Sequence, residues 1–199
     1  MSGRPLAYAG LVLVLGMVFL PWASHADITE GPGSISVSGV VFEKSLNFRS
    51  TAFRLAGAGL LRYRVVFKGY VAALYLGEGS TAGRVFEDIP KRLEIEYFHA
   101  ITAQDFQEAT QEGLKSNLSG KELTRLESRI GSLLSTFLPV KPKDRYAFTY
   151  VPGSGSTLTL NGRTLGAFQG LDFANAFMSI WIGPSPVSVE LKRQLLSAP

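Results

Sequence analysis

The residues best equipped for chemistry lie in one short stretch: Arg62, Arg64, Tyr70 and Tyr75. A guanidinium held in an apolar cleft binds a carboxylate or phenolate through two parallel N–H···O bonds, and a tyrosine hydroxyl adds a further donor. The same arginines would be equally at home on a sheet surface, against Glu94, Glu96 or solvent. Tyr146, Phe148 and Tyr150 share one face of a strand pattern, where they would serve as core or as the wall of a pocket. Other chemistries find no support. His99 stands at the end of a strand pattern with no nucleophile elbow near it, so a Ser-His-Asp arrangement is not expected. The chain has no cysteine, which removes disulfides, thiolate nucleophiles and Cys-ligated metals. Scattered carboxylates with only His25 and His99 do not make a metal site, and no Gly-rich loop leads into a helix with the Lys-Ser/Thr of a phosphate cradle. No metal and no cofactor is expected, and the candidate site is the pair Arg62 and Arg64 beside Tyr70 and Tyr75.

The elements that must position these residues follow from periodicity. Ile35 to Phe42 reads as a first strand and 46–56 as a second, irregular one. Gly57-Ala58-Gly59 marks a turn or a close backbone approach. Leu60 to Phe67 reads as a strand with Leu61, Tyr63, Val65 and Phe67 on one face and Arg62 and Arg64 on the other. After Lys68-Gly69, the run Tyr70 to Leu76 is apolar on both sides, so both sides must be covered: one by helices, the other by something else or by a cleft. Leu93 to Phe98 alternates, with Glu94 and Glu96 expected outward. A helix is expected at about 103–117, capped by Thr102 with Asp105. Gly113 sits in its apolar stripe, tolerable if another backbone passes close by. A second helix is expected at about 121–137, capped by Ser119. Residues 145–168 read as an antiparallel meander with its clearest turn at Asn161-Gly162. Two more helices, at about 172–182 and 187–196, complete the pattern. Strands, two helices, three strands and two helices make an α+β domain, an antiparallel sheet with helices on one face.

Composition sets the remaining bounds. The chain has 199 residues, 46% hydrophobic and 18% charged, too apolar and too weakly charged for disorder and long enough for one domain with a real core. The net charge of +4 is spread along the chain, so nucleic acid is not an expected partner. Residues 1–26 read as a secretory signal peptide: Arg4, the uncharged run Leu6 to Leu20, Pro21, then small residues at Ser24 and Ala26. The run is shorter than the ~20 residues a membrane span needs, so cleavage after Ala26 is expected, with no span remaining. Residues 27–34 are expected to form a flexible leader and 35–199 the domain, located in the periplasm or secreted.

The stretch 57–76, GAGLLRYRVVFKGYVAALYL, resembles chalcone isomerase-like proteins, closest to their secreted bacterial branch. LEIEYFHAITAQDFQEATQEGL (93–114) is similar to the family's strand and following helix. Leu160-Asn161-Gly162, Gly170, Asp172-Phe173, Ile180 to Gly183 and Pro186 to Lys192 resemble its C-terminal half, so the resemblance runs from about residue 35 to 197. It implies an open-faced β-sandwich, a large antiparallel sheet with helices packed on one face. In the plant isomerases an arginine after a Gly-rich turn activates the substrate for ring closure, and Arg62 is the matching residue, with Arg64 the alternative. Tyr70 falls at the place of a site threonine and Phe106 at that of a catalytic tyrosine, so that hydroxyl is missing. Gly113 replaces a helix asparagine, and the hydroxyl residue of the C-terminal helix falls at or next to Ser179. The related fatty-acid-binding branch holds a carboxylate with an arginine and a tyrosine above an apolar cavity, and needs no general base. The resemblance therefore implies a non-catalytic binder of a small amphipathic or fatty acid, or another apolar ligand, with Arg62 and Tyr70 or Tyr75 at its head. Two other functions stay open: an intramolecular lyase or isomerase acting on an enone, with Arg62 stabilising an oxyanion, and an envelope interaction factor.

Overall fold

Two helices with reciprocal caps divide the strands into two groups. The computed structural model describes residues 28–63 and 67–197, so residues 1–26, expected to be a signal peptide, and Arg64 lie outside the described residues. Helix α1 (Ala103–Asn117) begins where Thr102 Oγ1 accepts from Asp105 N and Asp105 Oδ2 accepts from Thr102 N. Helix α2 (Gly120–Thr136) repeats the device with Ser119 and Glu122. Each box satisfies two backbone donors that a helix start would leave orphaned.

The main sheet has seven antiparallel strands: β4 (Ser45–Phe48), β5 (Thr51–Tyr63), β6 (Phe67–Gly77), β7 (Lys91–Tyr97), β8 (Arg145–Val151), β9 (Gly155–Leu160) and β10 (Arg163–Phe168). Spatial order follows chain order across it. Helices α1, α2, α3 (Leu171–Ile182) and α4 (Val189–Leu196) cover one face. The other face carries a small sheet of β1 (Ile28–Glu30), β2 (Ser34–Val37) and β3 (Val40–Glu43). Ser38 and Gly39, with φ of 50° and 85°, make the tight two-residue turn between β2 and β3, and Asn161-Gly162 does the same between β9 and β10.

The small sheet answers the question posed by β6. Ala72, Leu74 and Leu76 point into the helix-side core, whereas Val71, Ala73 and Tyr75 pack with Ile35, Val37, Val40 and Phe42. Residues 28–30, expected in a flexible leader, pair with 35–37 as an edge strand instead. Three further expectations are corrected. Ile35 to Phe42 is a hairpin, not one strand. Leu60 to Phe67 is split between β5 and β6, which pair with each other. Glu94 is buried beneath the small sheet, where Arg92 Nε (2.8 Å) and Arg145 Nη1 (3.2 Å) neutralise it. Arg145 also holds Glu96 at 2.7 Å, lies over the Phe42 ring and donates to Val41 O, which fastens β3 to the main sheet.

Gly57 and Gly59 lie inside β5 rather than at a turn. They bring α4 down onto the strand: a Cβ at Gly57 would stand 2.3 Å from Gln194 O, and Gln194 Oε1 accepts from Leu60 N. Gly113 serves the contact of α1 with α3. What passes it is the side chain of Ile180, 2.8 Å from where a Cβ would lie, rather than backbone.

Lys91 is 0% exposed at the start of β7. Its Nζ donates to Glu87 O (2.9 Å) and Asn175 Oδ1 (2.8 Å), and Asn175 Nδ2 donates to Phe86 O (2.7 Å). The loop before β7 is thereby pinned to α3. No carboxylate forms an ion pair with this ammonium among the described residues, and burial lowers its pKa to about 8.

Candidate functional site

Alternation along β6, β7, β8 and β9 sends Tyr70, Leu93, Ile95, Tyr97, Tyr146, Phe148 and Leu158 toward the helices. The helices answer with Phe106, Ala109 and Thr110 from α1 and Phe177, Ile180 and Trp181 from α3. The two walls do not close on each other. They enclose a cavity of about 650 Å³, with Leu61, Ile101, Asp105, Phe137 and Val187 along its margins. Exposed Val187 and Ala109, with Asp105, mark where it meets solvent. Among the described lining residues Asp105 alone carries a carboxylate or a basic group, and its carboxylate is engaged in capping α1. That engagement holds its pKa below the usual range, so it stays ionised.

An aromatic cluster organises one end. Phe106 meets Tyr97 and Tyr146 edge-on at 5.3 Å each and stacks on Phe137 at 5.5 Å. Tyr70 meets Tyr97 at 5.8 Å. The phenols differ in what holds them. Tyr146 Oη donates to Leu138 O (2.9 Å) and accepts from Leu138 N (2.8 Å). Tyr70 Oη accepts from Trp181 Nε1 at 2.8 Å. Tyr97 Oη bonds no described residue. Burial raises the pKa of Tyr70 and Tyr97 well above the ordinary phenol value, and for Tyr97 the neighbouring Tyr70 and Tyr146 add to the rise. Both are protonated near neutrality.

The structure sorts the residues expected at the site. Tyr70 and Phe106 line the cavity. Tyr75 does not: it is 1% exposed in the core beneath the small sheet, because β6 turns odd-numbered residues that way. Ser179 is buried on α3 with its hydroxyl donated to Ala176 O (2.6 Å), so it is spent on its own helix. Arg62 is half-buried beside Leu61, outside the cavity wall, and its guanidinium makes no hydrogen bond or ion pair with a described residue. Glu94 and Glu96, weighed as its partners, are taken by Arg92 and Arg145. Tyr97, Thr110 and Trp181 were not singled out from the sequence as site residues. The signal for Tyr97 was present in LEIEYF, where it shares the Leu93 and Ile95 face.

Comparison with known proteins follows the same lines. A family model described as chalcone isomerase-like matches residues 34–197. No curated protein matches the chain in sequence. Among solved structures, a fatty-acid binding protein of Arabidopsis thaliana superposes with a TM-score of 0.61 at 16% identity, covering 85% of this chain and 96% of that one. At that identity the likeness shows a shared fold.

Proposed function

The chain belongs to the chalcone isomerase-like family, and from that premise we propose that it is a non-catalytic binder that encloses the apolar body of one small amphipathic molecule between sheet and helices. The observation that carries the reading is the cavity itself: about 650 Å³, walled almost entirely by aromatic and aliphatic side chains, with few polar groups. Removing such a ligand from water supplies the binding energy, about 25 cal/mol per Å² of apolar surface. The fatty-acid binding protein that shares the fold supports this class of ligand. Where the ligand is an acid, its carboxylate belongs at the Leu61 margin of the cavity, with Arg62 the next residue along β5. Phe106 offers no proton at the place where the plant enzymes use a tyrosine hydroxyl, and the buried phenols are poor acids and bases near neutrality. The binder would work in the periplasm, with residues 1–26 directing export. The intact mass of protein recovered from that compartment tests this, since cleavage after Ala26 predicts a chain beginning at Asp27.

Filling the mouth tests the function. Ala109 is exposed on α1 yet lines the cavity, so Ala109→Trp should leave stability within about 0.5 kcal/mol of wild type. It should weaken binding of a fluorescent fatty-acid probe at least about tenfold, read by titration on delipidated protein. Unchanged probe affinity would place the ligand elsewhere.

A further inference from the structure

The hydroxyl of Tyr97 makes no hydrogen bond to a described residue. The residue is 5% exposed, and its ring is ringed by Tyr70, Phe106 and Tyr146 at 5.8, 5.3 and 6.2 Å. Buried tyrosines ordinarily find a partner for the O–H, as Tyr146 does twice over with Leu138. Tyr97 Oη finds none among the described residues, and it belongs to the wall of the cavity. A phenylalanine would fill the same space without stranding a donor.

Its neighbour is in a related state. Tyr70 and Tyr97 are direct cross-strand partners of β6 and β7, so both rings rise from the floor side by side. Tyr70 Oη accepts from Trp181 Nε1, which orients it and leaves its own proton without a described acceptor. Thr110 lines the cavity from α1, and its hydroxyl likewise bonds no described residue. These hydroxyls thus line a largely apolar space without a hydrogen-bond acceptor for their protons among the described residues.

Building on the binding reading above, we propose that Tyr97 and Tyr70 together grip a neutral carbonyl oxygen, that of a ketone or an ester, on the otherwise apolar ligand. One carbonyl oxygen has two lone pairs, which suits two phenols approaching from one wall. A carboxylate is a poorer match at this depth. Its burial needs a counter-charge, and the one ionised group among the described lining residues is Asp105, itself an anion. Both phenols keep their protons near neutrality because burial holds them neutral, so the grip is independent of pH there.

Methyl laurate, laurate and dodecane separate the possibilities, because they share an apolar chain and differ in the oxygen group. Each is titrated by probe displacement against wild type and Tyr97→Phe. Methyl laurate should bind Tyr97→Phe about tenfold more weakly, whereas dodecane and laurate should change by less than about twofold. The carbonyl stretch of carbon-13-labelled methyl laurate should move to lower wavenumber on binding wild type and move back in the variant. The empty variant should melt no lower than wild type, since it loses an unbonded oxygen. Equal affinity of methyl laurate for the two proteins would overturn the proposal. Equal loss of laurate and ester would overturn the neutral acceptor in favour of an acid. Failure of all three to bind wild type would remove the cavity-binding reading itself, and the proposal with it.

Discussion

Replacing Gly57 by alanine is expected to cost about 3 kcal/mol of stability or more, from the addition of one methyl group. The new Cβ would stand 2.3 Å from Gln194 O and 2.6 Å from Leu195 O. Both are backbone atoms of α4, so no rotamer change relieves the overlap, and the helix must lift. Lifting it breaks the bond from Leu60 N to Gln194 Oε1 and uncovers Leu191 and Leu195, both 0% exposed. The control is Gly131→Ala in α2, where nothing lies within 4 Å of the added methyl. Helix propensity alone then acts, and a gain of about 1 kcal/mol is expected. Urea unfolding measures both. The account fails if the Gly57→Ala midpoint stays at the wild-type value.

A second large effect concerns pH. Lys91 loses its proton at about pH 8 in the folded protein and near its ordinary 10.5 in the unfolded chain. Between those values the unfolded chain binds more protons, so stability rises with pH. The gain from this residue is about 2 kcal/mol between pH 8 and pH 10, and it disappears again as pH falls through 8. Tyrosines set the upper limit of the window. Tyr70, Tyr75, Tyr97 and Tyr150 hold their protons above the ordinary value of 10 in the fold, so above pH 10 the folded state binds more protons and stability declines. Lys91→Met removes the titrating group while keeping the apolar stem. Subtracting its stability from wild type at each pH isolates Lys91, because the tyrosines are common to both. The difference should climb steadily between pH 8 and pH 10. A flat difference would mean that Lys91 keeps its proton in the fold.

How much of this was readable beforehand depended on whether the cause was local. The capping boxes at Thr102 and Ser119 were legible because every atom in them lies within one turn of its helix. The Asn161-Gly162 turn was legible for the same reason. The two-sided apolar run of β6 announced that two covers were needed, but not that 28–43 would supply the second. Non-local causes were hidden. Glu94 looked like a solvent-facing residue because Arg145, which makes its burial tolerable, lies 51 positions away. Leu60 to Phe67 contains no turn residue, so nothing local marked that one strand ends and the next begins within it. Arg62 drew attention by type, whereas Tyr97, on the same strand face as Leu93 and Ile95, passed as core. The two exchange importance only when the cavity wall is assembled.

The order of assembly is itself written into the sheet. Because each strand of the main sheet lies beside its chain neighbour, the sheet can grow by successive short-range pairings, with the α1–α2 pair as the one long interruption. Short-range pairing has a low loop-closure cost and is fast. The seam between α4 and β5 is different: Gln194 closes on Leu60 across 134 positions of chain. Almost every other element must already be in place to bring those ends together. The last helix therefore acts as a latch on one of the first strands, and a chain that has formed its sheet but not seated this helix would be a compact, unlocked intermediate. Stopped-flow refolding should resolve that seating as a separate late phase, and the phase should be the one that Gly57→Ala erases.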